Sequence, residues 1–268
     1  MQYNIVKYIL ELSLKFLTKI FPTKTIRFKI LLNKLSDNYL NKKIKNKNFL
    51  FSVENHHCLK RYNTILSKEK GTIEWLDKIG KNEILWDIGA NIGIYSLYAA
   101  KIKNAEVYSF EPLINSAKVL RKNIEINNLQ KKINLLPIGL GKQNGNLKLF
   151  YSSNHAASSQ HALKSNKKHK FENVLFFQPD ELVKKKNIKM PNFVKIDTDG
   201  NELNILKYSK KILKSKSLRS LCIENEFGKY EKLTKDKIVN FLKSYKFFLT
   251  NIDVYIAGYN MFFDRKKF

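Results

Sequence analysis

The segment Ile84–Ala100, ILWDIGANIGIYSLYAA, carries the strongest structural signal in the chain. The apolar run ILWDI predicts a buried strand, and IYSLYAA predicts the helix that follows it. Between them, Gly89 and Gly93 let the backbone turn tightly and approach a ligand, because glycine has no Cβ atom. Open α/β sheets bind their ligands at such strand ends. The segment therefore predicts a ligand site at the carboxyl end of a strand.

From residue 72 onward, strand patterns alternate with helix patterns, which is typical of a parallel sheet with helical crossovers. GNLKLFY predicts a short extra strand, and the serine-rich segment 152–170 predicts a long loop that could act as a lid. The last two strand patterns predict a C-terminal hairpin. The main strand patterns are EILWDIGA, AEVYSFEP, INLLPIGL, PNFVKID, LRSLCIENE, FFLTNID and YIAGYNMFFD. Together they predict one doubly wound, mostly parallel sheet within residues 59–268.

Residues 1–58 have a different pattern and predict an N-terminal helical extension. Apolar residues recur at helical spacing from Ile5 to Ile20, while lysines and a glutamate recur every four residues on another face. TIRFKILLNKLSDNYL predicts a second helix. Two interpretations stay open for residues 1–21: packing on the main domain, or peripheral contact with an anionic membrane surface.

The composition is that of a folded protein with a large excess of lysine. The 268 residues carry a formal charge of +27, yet only five of the 50 basic residues are arginine. Because proteins that read nucleic acids rely on arginine forks, lysine-rich codon usage and an anionic partner both stay open as explanations. Cys58 and Cys222 lack metal-binding spacing, no apolar run is long enough to span a membrane, and no signal peptide is evident. We expect a cytoplasmic protein.

The acid before the glycine loop and the acid after the next strand together indicate the ligand. Asp87 would repel a pyrophosphate, and the loop spacing is G-x-x-x-G rather than the dinucleotide pattern. Glu111 follows 24 residues later (111 − 87), close to the place of the acid that binds ribose hydroxyls in nucleoside-binding folds. A nucleoside with a locally cationic tail fits both acids, and S-adenosylmethionine is such a molecule.

Three segments resemble the signature segments of FkbM-type S-adenosylmethionine-dependent methyltransferases: Asp87–Gly93, Phe110–Pro112 and Val194–Glu202. The resemblance covers roughly residues 60 to 226, and the order and spacing of the segments make it specific. It implies a Rossmann-like class I methyltransferase fold and O-methylation, often of a sugar or polyketide hydroxyl. Asp199 and Asn201 depart from the glutamate and alanine more usual in the family.

The resemblance also assigns roles to individual residues. It implies that S-adenosylmethionine contacts five residues, with the first four at its methionine end and the last at its ribose: Asp87, Gly89, Asn91, Gly93 and Glu111. An alcohol acceptor must lose a proton, so a base or a metal is expected. Asp197 and Asp199 are the catalytic candidates at the end of the fourth strand. Asp197, Glu224 and Asn225 offer oxygen ligands suited to Mg²⁺, as an alternative to a metal-free base or to purely structural roles.

Other interpretations of the same residues stay open. His155 and His161 lie in the predicted lid and are further candidates for the base. Asp197-Thr198-Asp199 also matches the D-x-D pattern of glycosyltransferases that use nucleotide sugars. The charge allows an RNA acceptor, although no RNA-binding module is evident. The favoured prediction is a methyltransferase that acts on a sugar hydroxyl in a glycan or glycan precursor. A lipid-linked precursor would bring the enzyme to the inner membrane face.

Overall fold

The computed structural model of the chain describes residues 12, 13, 16, 20, 21, 39–65, 67–151, 155–157, 161, 162, 170–185, 188–228 and 231–266. Two compact units are distinguished, Met1–Tyr39 and Leu40–Phe268. In the first, the described residues Leu12, Ser13, Phe16 and Ile20 are helical. Most of the predicted helical extension lies outside the described residues, so its division from the rest at residue 58 stays a prediction.

The second unit contains thirteen described strands and eight described helices. The strands are β1 (Tyr39–Ile44), β2 (Lys47–Ser52), β3 (Ile84–Ile88), β4 (Glu106–Phe110), β5 (Ile133–Leu136), β6 (Gly139–Leu140), β7 (Gly145–Tyr151), β8 (His161–Ala162), β9 (Lys170–Phe177), β10 (Phe193–Ile196), β11 (Ser220–Glu226), β12 (Phe247–Tyr255) and β13 (Gly258–Arg265). The helices are α1 (His56–Thr64), α2 (Lys70–Asp77), α3 (Ile94–Ile102), α4 (Ile114–Ile126), α5 (Pro179–Leu182), α6 (Glu202–Lys207), α7 (Lys210–Lys214) and α8 (Glu231–Lys243). Among the described residues, no helix is both long and apolar enough to cross a membrane.

The central sheet has seven strands in the order β12-β13-β11-β10-β3-β4-β5. The five strands from β11 to β5 are parallel, and β13 pairs antiparallel with both β11 and β12. This is the predicted mostly parallel sheet with a C-terminal antiparallel hairpin, so the predicted Rossmann-like class I methyltransferase fold is confirmed. The strand order reverses between β3 and β10, which is where doubly wound sheets bind ligands.

The central strands are apolar because both of their faces are covered. Along β3, Leu85 packs into the hydrophobic cluster on one face and Trp86 into the cluster on the other, and both side chains are fully buried. Helices α1 to α4 contribute to the first cluster, and α6 to α8 contribute to the second. Because both faces are covered, polar side chains lie at the carboxyl edge of the sheet.

The remaining strands form two smaller sheets. β1 pairs with β2, so Tyr39 and Leu40 lie in a strand and not in the predicted second helix. The second small sheet has the order β6-β9-β7-β8 and borders the carboxyl edge of the central sheet. It contains the predicted extra strand β7. It also contains β9. Lys170, the first residue of β9, falls in the predicted loop, and no strand is predicted for the rest of it.

Two predicted elements are divided in the structure. INLLPIGL forms β5 and β6 rather than one strand, with Pro137, which has no N–H to donate to a ladder, between them. NELNILKYSKKIL forms α6 and α7, because the carboxylate of Asp180 accepts the backbone N–H of Lys211 at 3.0 Å and starts a second helix there. Of the predicted loop at 152–170, the structure describes residues 155–157, β8 and Lys170, and the rest lies outside the described residues.

Candidate active site

A cavity of about 390 Å³ lies at the carboxyl ends of β3, β4, β10 and β11. Apolar side chains from β4 and the small sheet, among them Phe110, Leu149 and Phe176, form one part of its wall. Acidic side chains form another part. Six of the residues predicted as site residues line the cavity: Gly89, Asn91, Glu111, Asp197, Asp199 and Glu224. Six of the nine predicted site residues therefore share one cavity at the reversal of strand order, and their roles stay predictions.

The glycine loop after β3 passes directly over the end of β10. Gly89 has φ +79°, and a Cβ atom there would lie 1.7 Å from the carbonyl oxygen of Asp197. Gly93 has φ +84°, and a Cβ atom there would lie 2.0 Å from Leu120 Cδ1 of α4. Gly89 thus brings the loop against the end of β10. Gly93 does not line the cavity but allows α3 to pack closely on α4.

Asp87 lies beneath the loop and not in the cavity wall. Its side chain is fully buried, and Oδ2 accepts a hydrogen bond of 2.5 Å from Ser96 Oγ. Its Oδ1 has no hydrogen-bond partner among the described residues. Burial raises the pKa of Asp87, although the nearby charge of Lys195 opposes that change. The structure therefore places Asp87 where it can organise the loop, and its predicted contact with the cofactor is not seen in the lining.

Glu111 is held by the backbone on both sides of the cavity. Oε2 accepts the N–H of Asn91 at 2.8 Å, and Oε1 accepts the N–H of Leu113 at 2.9 Å. The side chain is only 5% exposed, yet it lines the cavity. Each carboxylate oxygen can accept more than one hydrogen bond. Glu111 can therefore bind two adjacent hydroxyl groups while it also fixes the glycine loop.

Asp197 lies at the end of β10 in a short network of charged groups. Lys195 Nζ donates to its Oδ2 at 2.6 Å, and Glu224 at the end of β11 shares a side-chain hydrogen bond with it. Tyr255 donates its hydroxyl to Glu224 Oε1. Burial opposes the ionisation of Asp197, but the charge of Lys195 and these hydrogen bonds more than offset it, so its pKa lies well below the usual range.

Glu224, unlike Asp197, keeps its proton and is neutral at pH 7. Burial, together with the neighbouring negative charge of Asp197, raises the pKa of Glu224 to about 10. Two carboxyl groups that share a site cannot both ionise easily, so one retains a proton. At neutral pH the pair therefore holds one proton, on Glu224, and one negative charge, on Asp197. Lys195 balances that charge from below.

A strained turn follows Asp197. Asp199 has φ +52° and Gly200 has φ +103°, and both line the cavity. The buried carboxylate of Glu202 holds the turn, since its Oε1 accepts the N–H and the hydroxyl of Thr198 at 2.9 Å each and the N–H of Gly200 at 3.2 Å. A non-glycine residue in the left-handed region costs about 1–3 kcal/mol and is characteristic of functional sites. The turn presents the Asp199 side chain in the cavity wall.

Of the three predicted Mg²⁺ ligands, Asp197 and Glu224 lie together and Asn225 points away from them. Asn225 Nδ2 donates to the Tyr259 hydroxyl at 2.7 Å and to the Glu231 carbonyl at 3.2 Å, because successive side chains of β11 point to opposite faces. Lys195 Nζ lies 2.6 Å from Asp197 Oδ2, so a positive charge is already beside this carboxylate. Among the described residues, no group of three or more His, Cys, Asp or Glu side chains is arranged to hold a metal ion. The donor set present does not fit Mg²⁺.

The histidine candidates are only partly described. His155 is exposed, stacks near His57 with ring centroids 6.3 Å apart, and does not line the described cavity. His161 lies in β8, and its side chain lies outside the described residues, as does His169. A base role for His161 stays a prediction.

Sequence reasoning missed several residues of the site. Lys195 and Glu202 both fall inside the quoted signature segment, where their chemistry could have been noticed. Tyr255 comes from the C-terminal hairpin and Arg61 from α1, and both line the cavity. No short-range pattern links either to the glycine loop, because the chain brings them there only through the tertiary fold.

The chain is similar to known methyltransferases over most of its central sheet. Residues 87–249 match the family described as the methyltransferase FkbM domain. The hexuronic acid methyltransferase AglP of Haloferax volcanii is 29% identical over 134 residues, which are 49% of this chain and 52% of that protein. The methyltransferase sdnD of Sordaria araneosa is 35% identical over 79 residues, which are 29% of this chain and 30% of that protein. The chain thus matches about half the length of the first relative and less than a third of the second.

Among solved structures, the tRNA methyltransferase TrmK of B. subtilis aligns with a TM-score of 0.47 at 13% identity. The alignment covers 75% of this chain and 68% of that protein.

Proposed function

The chain belongs to the methyltransferase FkbM domain family, and from its site we propose that it is an S-adenosylmethionine-dependent O-methyltransferase that acts on a sugar hydroxyl of a glycan or glycan precursor. One observation carries the proposal. A single cavity joins a nucleoside-binding half, formed by the glycine loop and Glu111, to an acidic half at the ends of β10 and β11. The first half suits the methyl donor, and the second suits an alcohol acceptor.

The donor half fits S-adenosylmethionine by its chemistry. Glu111 offers carboxylate oxygens to the ribose hydroxyls, and the apolar wall of Phe110, Leu113 and Ile138 suits the flat adenine ring. The turn at Gly89 keeps side chains out of the path between this wall and Asp197. When bound, S-adenosylmethionine supplies a methyl group already activated by a positively charged sulfur. The acidic half of the cavity attracts that charge.

The acceptor half supplies orientation and a place for the proton. In the proposed reaction, the bond between sulfur and the methyl carbon breaks as the acceptor oxygen forms its bond to that carbon. The ionised Asp197 accepts a hydrogen bond from a neighbouring hydroxyl of the acceptor and so aligns the reacting one, and alignment of two reactants can contribute about 7–11 kcal/mol to catalysis. Asp199 accepts the hydroxyl proton, since Asp197 is too weak a base next to Lys195. No step requires a metal.

The assignment of the acceptor as a sugar rests on two supports. One curated relative, at 29% identity, is named as a hexuronic acid methyltransferase. The acidic half is also rich in groups that pair with hydroxyls, because Asp197, Asp199, Glu226 and Asn204 all line it. Carboxylate and amide side chains are suited to hydrogen bonds with hydroxyl groups. The cytoplasmic location, a lipid-linked acceptor and peripheral membrane contact through residues 1–21 remain proposals that extend this one.

Transfer of a labelled methyl group tests the proposal. Purified protein, labelled S-adenosylmethionine and a lysate of the source cells are incubated, and the label is then measured in separated glycan, lipid, RNA and small-molecule pools. We expect alkali-stable label in the glycan or nucleotide-sugar pool, because a methyl ether resists the mild base that cleaves a methyl ester. Label lost to mild base would contradict O-methylation of a hydroxyl, and label lost to RNase would contradict the sugar acceptor. The Asp199→Asn variant is expected to transfer no label.

A further inference from the structure

Arg61 is a cation placed between the donor half of the cavity and a small recess. The recess has a volume of about 30 Å³ and is bordered by Arg61, the glycine loop from Gly89 to Ile92, and the first residues of α3, Ile94 and Tyr95. Arg61, Gly89, Asn91 and Asp197 line both the recess and the main cavity, so the two are continuous. The Arg61 side chain therefore borders both the recess and the main cavity beside the glycine loop.

A hydrogen bond to the backbone fixes the position of the Arg61 side chain. Its Nε donates a hydrogen bond of 3.0 Å to the carbonyl oxygen of Ala157, in the described part of the predicted lid. Ala157 is only 4% exposed, and Asn55 Nδ2 holds the adjacent Ala156 carbonyl at 3.1 Å. Among the described residues, the terminal nitrogens of Arg61 make no ion pair with a carboxylate. A guanidinium held by one nitrogen can offer the remaining donors to a ligand.

The other charges around the recess are already balanced within the protein. Lys68 Nζ pairs with Glu69 at 2.8 Å, and Lys195 pairs with Asp197 at 2.6 Å. Arg61 thus differs from both lysines. Lys68 also lines both the cavity and the recess, but its ammonium group is paired with Glu69, so among the described residues Arg61 is the lining cation without a carboxylate partner. The cavity therefore has a defined place for one negative charge.

We propose that Arg61 binds the methionine carboxylate of S-adenosylmethionine, an inference that rests on the proposed function. Asn91 donates its N–H to Glu111 and lines both the main cavity and the recess with Arg61, so an amino-acid tail that extends from a ribose at Glu111 along Asn91 would reach the guanidinium. A guanidinium matches a carboxylate with two parallel hydrogen bonds, which a lysine cannot do. The same side chain donates to the Ala157 carbonyl, so one residue would contact both the donor and this short described segment.

Decarboxylated S-adenosylmethionine tests the inference, because it lacks only the group that Arg61 is proposed to bind. The dissociation constants of both compounds are measured by calorimetry for the wild type, Arg61→Met and Arg61→Lys. The exposed neighbour on α1, Lys60, provides the matched control Lys60→Met. We expect the wild type to prefer the complete compound by about tenfold or more, since hydrogen bonds to a charged group are strong. Arg61→Met should reduce that preference to within about twofold, and Arg61→Lys should retain part of it.

The outcomes separate this inference from the proposed function. A preference that survives in Arg61→Met overturns the inference, and so does an equal loss of affinity for both compounds, which would assign Arg61 to holding Ala157 alone. A wild type without any preference also overturns it. If the folded wild type binds neither compound, the proposed function itself fails. Thermal melting confirms that each variant is folded, and Lys60→Met should behave as the wild type does.

Discussion

Lys195 Nζ lies 2.6 Å from Oδ2 of Asp197, and its side chain is only 1% exposed. The negative charges of Asp197, Asp87 and Glu69 together outweigh the effect of burial and raise the pKa of Lys195. The lysine is therefore a permanent cation beneath the acidic half of the cavity. It keeps Asp197 ionised and holds the end of β10 in place.

Replacement of Lys195 by methionine should destabilise the protein severely. The variant leaves buried carboxylates without their counter-ion, and breaking such a buried pair costs about 3–5 kcal/mol. The free energy of unfolding, measured by urea denaturation at pH 7, should fall by that amount. Lys189→Met serves as the control, because Lys189 pairs with Glu106 on the surface, and it should change stability little. Equal effects of the two substitutions would contradict a charge-balancing role for Lys195.

Replacement of Glu224 by glutamine should change how stability depends on pH. The folded-state pKa of Glu224 is raised to about 10, so between its unfolded pKa and pH 10 the folded protein binds a proton that the unfolded chain has lost. The contribution of Glu224 to stability is complete below the unfolded pKa and falls by up to about 1.4 kcal/mol per unit as pH rises through this window. Glutamine does not titrate and keeps the neutral hydrogen bonds.

The variant should therefore gain stability relative to the wild type between pH 6 and pH 8, by up to about 2.7 kcal/mol. Urea denaturation at the two pH values, at constant ionic strength, measures the difference. Parallel curves for the two proteins would mean that Glu224 is ionised at neutral pH. In the same range, methyl transfer by Glu224→Gln should stay close to that of the wild type, because the amide can donate to Asp197 as the protonated carboxyl does.

Replacement of Gly89 by alanine should be much more damaging than the same change at Gly145. Both residues have positive φ, +79° and +112°, so each substitution strains the backbone by about 1–3 kcal/mol. At Gly145 nothing lies within 4 Å of a new Cβ atom, whereas at Gly89 it would meet the Asp197 carbonyl. We expect a further loss of about 1–3 kcal/mol in Gly89→Ala from this overpacking, together with loss of S-adenosylmethionine binding. Similar unfolding free energies for the two variants would contradict the close approach.

The parts of the structure that could be predicted from sequence are those with a local pattern. The strand that contains Asp87, the glycine loop after it and the acid at Glu111 can each be identified within a few residues, and their place follows from the parallel sheet. Asn225 illustrates the limit. It adjoins Glu224 in sequence, yet strand alternation turns its side chain to Tyr259 on the other face. The predicted metal set treated the two as neighbours in space.

Long-range contacts account for most of the rest. Arg61 and Tyr255 reach the cavity from opposite ends of the unit, and nothing in their own sequence surroundings indicates it. The charge states of Asp197 and Glu224 could not be predicted from sequence either. They depend on the hydrogen bond that the two side chains share and on the buried Lys195. Strand β9 was missed because its polar and aromatic residues follow directly on a lysine-rich segment that itself predicts a loop.

Binding of S-adenosylmethionine by the wild type and by Glu111→Ala, measured by calorimetry, tests the central claim most directly. The control is Glu106→Ala, which removes a carboxylate from the opposite end of the same strand, β4. We predict one binding site in the wild type, unchanged affinity in the control, and affinity weakened at least about tenfold in Glu111→Ala, because a charged hydrogen-bond acceptor is lost. A folded wild type that does not bind S-adenosylmethionine, or a Glu111→Ala variant that binds it as tightly, would contradict the account.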